Sequence, residues 1–284
     1  MADTLDRGAI EAMVREALRK HSDPRAAVEH VAAATLIHGG EVLLTPSVLP
    51  NPSAPASLKS LMAATPARVA VGRTGTRYTT STLLKFRADH AAAKAAVMSE
   101  VKREILERLH FVEVRSQARD KKHFLQRPDA GRALSEEAKE IIAAKLPKGA
   151  QLQVIYGDGL SAEAINVNAE PLQQALIQQM QTRSIRMNPP LFVHLSRVKI
   201  MDEVARLIEC ETCLFICGER PGLGFADSLS AYFIYRPATG ATDADREVIS
   251  NINPRGFPPV QAAVQIADSI VRILRDKKSG VILG

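Results

Sequence analysis

Three cysteines and three glycines crowd into seventeen residues, ECETCLFICGERPGLGF, at positions 209 to 225. Cys210, Cys213 and Cys217 have the spacing C-x2-C-x3-C, which raises a zinc or iron–sulfur site. Such a site needs four ligands, or three and an added one, on a loop that folds around the metal. Cys213 and Cys217 instead bracket CLFIC, whose lack of polar alternation marks a strand buried on both faces. Extended, that strand holds its ends about 13 Å apart. The thiols are expected to be buried small hydrophobes, and no metal site is expected.

The glycines carry more. Gly218, Gly222 and Gly224 follow the carboxyl end of that strand, where open α/β sheets bind ligands. Their spacing fits neither the dinucleotide fingerprint nor the P-loop. One glycine would serve a tight turn; three point to backbone lying close to something. Glu219 then stands at the mouth of the sheet, ready to accept hydrogen bonds from hydroxyl or amide groups of a ligand. The competing reading is an exposed Glu219–Arg220 pair on an ordinary loop. The seven histidines show neither HExxH nor any paired spacing, so no metal site or triad is supported. Asp158 and Ser161, in GDGLS, suit a helix cap as well as a substrate contact. Asp89-His90 reads as solvated or at a contact. No catalytic constellation is recognisable.

The elements that must position this loop divide into three segments. Residues 1–66 read as an extension: an amphipathic helix with Ile10, Met13, Val14, Ala17 and Leu18 on one stripe, then a linker rich in Pro, Ser and Ala, 46–66. Residues 67–149 read as mainly helical, after a strand-like ARVAV, with one long helix from Thr82 to about Leu109 and a second capped at Ser135. This segment is expected to pack on the core and on a partner. Residues 150–284 alternate strands (LQVIY, LFVHLSRV, CLFIC, SAYFIY) with helices, the last starting at Pro258-Pro259. That alternation predicts an α/β fold, a mostly parallel sheet with helices on both faces in a Rossmann-like arrangement.

Composition narrows the functional classes. The chain has 284 residues, 46% hydrophobic and 24% charged, as in globular proteins. No apolar run is long enough to span a bilayer and no secretory leader is visible, so a cytoplasmic location with no membrane partner is expected. The net charge is +6, but both signs are interspersed and aromatics make up only 4%. Nucleic acid is therefore not expected as a partner.

Several stretches together resemble a known family. VGRTGTRYTTSTLLKFRADHAAAKAAV (71–97), GDGLSAEAI (157–165), SRVKIMDEV (196–204), CGERPGLGFADSLSAYFIY (217–235) and ISNINPRGFPPVQAA (249–263) are similar to the small subunit of ethanolamine ammonia-lyase, in the family's order. The resemblance implies a carbon–nitrogen lyase that converts ethanolamine to acetaldehyde and ammonia with adenosylcobalamin. It implies a division of labour as well: a larger barrel subunit holds substrate and catalytic groups, and the small subunit completes the cobalamin site. A hexamer of heterodimers is implied by the family. Carried over, the corrinoid contacts fall on Val198, Glu219 and Val248, with Gly218, Gly222 and Gly224 allowing close approach. Valine at 248, where other members carry cysteine, restricts that contact to backbone, and Phe225 stands where small or polar residues are usual. The absence of D-x-H-x-x-G predicts a cobalamin bound base-on. The N-terminal helix gains a reading as a tag for packing into a bacterial microcompartment, with docking on the partner subunit as the other reading. The alternative is a stand-alone module that binds a corrinoid or a nucleotide without catalysis.

Overall fold

The computed structural model describes residue 49, residues 52–65 and residues 67–280. The expected amphipathic stripe from Ile10 to Leu18 lies outside them. The described residues fall into two compact units, divided between Ala95 and Ala96.

In the first unit, part of the expected linker is helical: α1 (Pro55–Ala64) starts on a proline at its first turn, where the missing N–H costs nothing. The expected strand at ARVAV does not form, because Ala70 adopts φ 56° and ends any extension. Two short strands, β1 (Arg73–Thr74) and β2 (Arg77–Tyr78), pair antiparallel instead. Helix α2 (Thr80–Met98) follows. Tyr78 meets the Phe86 ring edge-on, with centroids 5.1 Å apart. Asp89 corrects the solvated reading. It is buried and paired with Arg68 at 2.7 Å and Lys85 at 2.8 Å.

The second unit opens where the predicted long helix breaks. Ser99 turns its hydroxyl back onto the Ala96 carbonyl at 2.7 Å. Asn166 then holds the break from both sides, accepting from Lys102 N at 2.8 Å and donating to Glu100 O at 3.3 Å. Helix α3 (Arg103–Arg108) resumes after it. There follow β3 (Val112–Arg115), α4 (Lys121–Gln126), α5 (Glu136–Lys145), β4 (Leu152–Gly157), α6 (Ala162–Thr182), β5 (Leu191–His194), α7 (Ile200–Ile208), β6 (Thr212–Gly218), β7 (Leu229–Tyr235), β8 (Glu247–Ile252) and α8 (Pro259–Asp276).

These strands form one six-stranded sheet in the order β3-β5-β4-β6-β7-β8. The first four are parallel, whereas β7 and β8 each run antiparallel to their predecessor. The sheet is therefore mixed: the mostly parallel expectation holds for the three pairings from β3 to β6 and fails for β7 and β8. A parallel return needs a crossover of a dozen residues or more. The chain from Gly218 to Leu229 contains no helix and simply doubles back.

Helices cover both faces, as the strand–helix alternation predicts. On one face α6 and α8 pack Ile165, Leu172, Ile266 and Ile270 against Leu214, Ile216 and Phe233. On the other, α5 and α7 pack Ile142, Val204 and Ile208 against Ile155, Val193 and Phe215. β4 and β6 are buried along their whole length. Ser135 and Ser161 cap α5 and α6, accepting from Ala138 N at 3.1 Å and Ala164 N at 3.2 Å.

Candidate functional site

Strand order creates the crevice. α6 leaves β4 toward one face and α7 leaves β5, its neighbour, toward the other. Loops from adjacent parallel strands diverge there, the place where open sheets take ligands. Two loops border it: Gly157–Ser161 after β4 and Leu195–Lys199 after β5. The loop after β6, beginning at Glu219, lies beside them.

The predicted positions divide once placed. Gly218 ends β6, and a side chain there would strike the chain itself: its Cβ would lie 2.0 Å from Ser161 O and 2.9 Å from Asp158 O. The close approach it permits is to the GDGLS turn. Gly222 and Gly224 have open space where a side chain would stand; the nearest atom to Gly222's Cβ is Phe225 O at 3.8 Å, and Gly224 has none within 4 Å. The Phe225 ring lies beneath Arg255, 4.5 Å from the guanidinium carbon, and Arg255 is paired with Asp227 at 2.9 Å.

Glu219 is half-buried and engaged on one side. Its Oε1 accepts from Ser230 Oγ at 2.6 Å and from Asn251 N at 2.8 Å, bridging the bulge where β7 and β8 slip register. Oε2 has no partner among the described residues and remains an acceptor for something else.

The pleat settles which way the group faces. Cys217, Phe215 and Tyr232 belong to the side packed by α5 and α7. Two-residue alternation puts Glu219 on that side, and Val248, opposite Tyr232 in the register, joins it. Val198, just past β5, packs against the same cluster. The helices stop short of the last two strands on this side. Tyr232 is half-buried, Ser250 is exposed, and Val248 is 51% exposed. Three positions drawn from separate parts of the sequence therefore share one face of the sheet, part of it open.

The remaining candidates are structural. Burial pushes the Cys217 thiol up to about 12, with Glu219 and Asp158 adding to the effect, and burial also raises Cys213. Neither is a nucleophile at neutral pH. Both sit along β6, and all three cysteines are buried. Ser161 is fully committed, since its hydroxyl also donates to Ala226 O. Asp158 is buried, accepts from Ser196 N at 3.2 Å, and has its carboxyl raised by burial, an effect opposed by Lys121.

Residue-by-residue reading of the sequence missed the cations around this crevice. Arg197 N donates to Gly131 O at 2.7 Å and Nη2 to Phe124 O at 3.2 Å. Its guanidinium carbon lies 4.4 Å from the centre of the Phe124 ring. The only signal was that Arg197 and Arg220 each adjoin a residue already singled out.

The chain matches the family model of the ethanolamine ammonia-lyase light chain (EutC) over residues 55–284. It is 40% identical over 224 residues to the ethanolamine ammonia-lyase small subunit of Clostridium acetobutylicum, covering 79% of this chain and 93% of that one. It is 37% identical over 281 residues to the protein of the same description from Clostridium perfringens, covering 99% and 94%. A third, from Listeria monocytogenes serovar 1/2a, is 38% identical over 234 residues, covering 82% and 80%.

Proposed function

The chain belongs to the ethanolamine ammonia-lyase light-chain family, small subunits of a carbon–nitrogen lyase, and from that premise we propose that it forms, with a large subunit, the site for adenosylcobalamin. The reaction is ethanolamine to acetaldehyde and ammonia. One observation carries the reading: Val198, Glu219 and Val248 share one sheet face, where an acceptor oxygen of Glu219 is left unpartnered. The residues present fit a corrinoid. A broad, flat ligand needs an open surface, which Tyr232, Val248 and Ser250 provide, and acceptors for its peripheral amides, which Glu219 Oε2 provides. When bound, the cofactor supplies the radical chemistry. This chain's own part is to hold the ring in place and exclude water, so it needs no acid or base of its own. The parallel half of the sheet, β3 to β6 with helices on both faces, is Rossmann-like in this reading.

The test compares this chain alone, a large subunit alone, and both co-expressed, each with adenosylcobalamin and ethanolamine. Release of acetaldehyde and ammonia is expected only from the co-expressed pair. Copurification without activity would remove the substrate assignment; failure to copurify would remove the shared site. Glu219→Gln retains an oxygen for Ser230 and Asn251 but replaces the free acceptor with a donor. It is expected to weaken corrinoid binding about tenfold while leaving the unfolding midpoint in place. Equal affinity in the assembled pair would dismiss the role of Glu219.

The first unit is where we place contact with the large subunit. Over residues 67–95, Arg68, Arg73, Arg77, Lys85, Arg87 and Lys94 outweigh a single carboxylate, Asp89. Leu83 and Leu84 are exposed on α2. Such charge repels a second copy and suits an acidic surface with an apolar centre. Leu84→Lys, at an exposed position, is expected to leave the chain folded and to reduce copurification several-fold. Undiminished recovery of the pair at high salt would move the contact elsewhere.

A further inference from the structure

At the crevice between β4 and β5, positive charge outweighs the one buried carboxylate there, Asp158. Phe124 is flanked by two cations: the Arg197 guanidinium carbon lies 4.4 Å from the ring centroid and Lys121 Nζ lies 5.4 Å from it. Arg132 is next to Gly131, whose carbonyl accepts from Arg197 N and whose missing side chain makes room for Arg197 Cγ. Arg220 enters from the loop after β6, which is tied to the same place by Leu160 N donating to Gly218 O at 3.1 Å.

Among the described residues, none of Lys121, Arg132, Arg197 and Arg220 makes an ion pair with a carboxylate, whereas Arg127 and Arg255 do. Two of the polar atoms are orphaned: Arg197 Nε and Lys121 Nζ are buried without a hydrogen-bond acceptor. Orphaned charged donors cost stability unless something completes them. Burial lowers the Arg197 pKa, and the charges of Arg132 and Arg220 lower it further. Arg197 thus lies within electrostatic reach of both Arg132 and Arg220. Buried Asp158 offsets part of this charge, and it is already engaged with Ser196 N.

We propose that Arg132, Arg197 and Arg220 bind a phosphate group, with Lys121 lending charge from beneath. Guanidinium groups suit this ligand because their planar donors match phosphate oxygens in pairs. Resting on the corrinoid reading, the phosphate is the phosphodiester in the nucleotide tail of cobalamin, which extends from the ring held over Glu219 and Val248.

The test uses the co-expressed complex and measures equilibrium binding by ultrafiltration. The probes are adenosylcobalamin, adenosylcobinamide, which lacks the nucleotide tail and its phosphate, and inorganic phosphate. Arg197→Met is expected to raise the dissociation constant for adenosylcobalamin about tenfold or more, and to leave that for adenosylcobinamide unchanged. Arg220→Gln, at an exposed position, gives the same pattern if Arg197→Met disturbs folding. Equal loss for both corrinoids, or loss for neither, overturns the assignment to the tail. If the unaltered complex binds neither corrinoid, the corrinoid reading itself fails. The anion site is then decided by inorganic phosphate: a rise in the unfolding midpoint that Arg220→Gln abolishes supports it, and no rise ends it.

Discussion

Gly218→Ala is expected to destabilise the chain by more than about 3 kcal/mol, while Gly222→Ala and Gly224→Ala each stay within about 0.5 kcal/mol of the parent. The new methyl carbon at 218 would stand 2.0 Å from Ser161 O and 2.7 Å from Ser161 C. Both are backbone atoms and cannot rotate aside as a flexible side chain would. The opposing residue offers no relief, since Gly159 holds φ +54° and its own Cβ would lie 2.5 Å from Gly218 O. Moving this turn would pull Ser161 from Ala226 O and from the α6 cap, loosening the longest helix described. Urea midpoints of the three variants decide the matter, and an unchanged midpoint for Gly218→Ala would refute the packing account. The other two glycines have a different readout. If a corrinoid lies against their backbone, the added methyl groups lower its affinity in the complex without moving the midpoint. Unaltered affinity in both would remove them from the site.

That contrast also marks how far the sequence could be read. CLFIC announced its burial through composition alone, and β6 is buried throughout. Ser135 and the prolines at 258 and 259 announced helix starts, because capping chemistry is local. Direction in the sheet was not local. SAYFIY has the look of any buried strand, and only the helix-free return from Gly218 makes it antiparallel. The break at Ser99 was hidden for a similar reason: its clamp, Asn166, is 64 residues away from Lys102. Within GERPGLG, spacing placed three glycines at a strand end but could not divide the one that packs on its own chain from the two that face open space. Glu219 was found through its position, yet half of its carboxylate serves the β7–β8 bulge, where Asn251 at φ 61° marks a local irregularity. The cation cluster was least legible, since Arg132 reaches Arg197 only through the fold.

Arg246→Met is expected to cost about 3–5 kcal/mol at neutral pH, through the charge it would leave behind. Arg246 Nη2 donates to Asp202 Oδ2, with the two side chains 2% and 9% exposed. Arg246 Nη1 also donates to the Thr242 carbonyl. Asp202 Oδ1 has no hydrogen-bond partner among the described residues, so without Arg246 the carboxylate would be buried with only the weaker influence of Arg206 and Lys199 to offset its charge. Burial already raises the Asp202 pKa, and Arg246 is the largest influence holding it down. The variant's folded-state value therefore rises further above the unfolded one. A carboxyl shifted upward penalises the native state while ionised, and the penalty fades as pH falls through the folded-state value toward the unfolded one. The deficit of Arg246→Met against the parent should thus be largest at pH 7.5 and shrink on acidification. Adding Asp202→Asn should recover much of it at pH 7.5. A deficit that ignores both pH and the second substitution would mean that lost packing, not stranded charge, sets the cost. The pair bears on the ligand face too. Arg246 lies two residues before Val248 and Asp202 four after Val198, so this tie fixes the approach to β8 against α7 and holds two of the three proposed corrinoid contacts in register. Weaker corrinoid binding by Arg246→Met than by the charge-neutralised double variant would therefore follow from the same geometry.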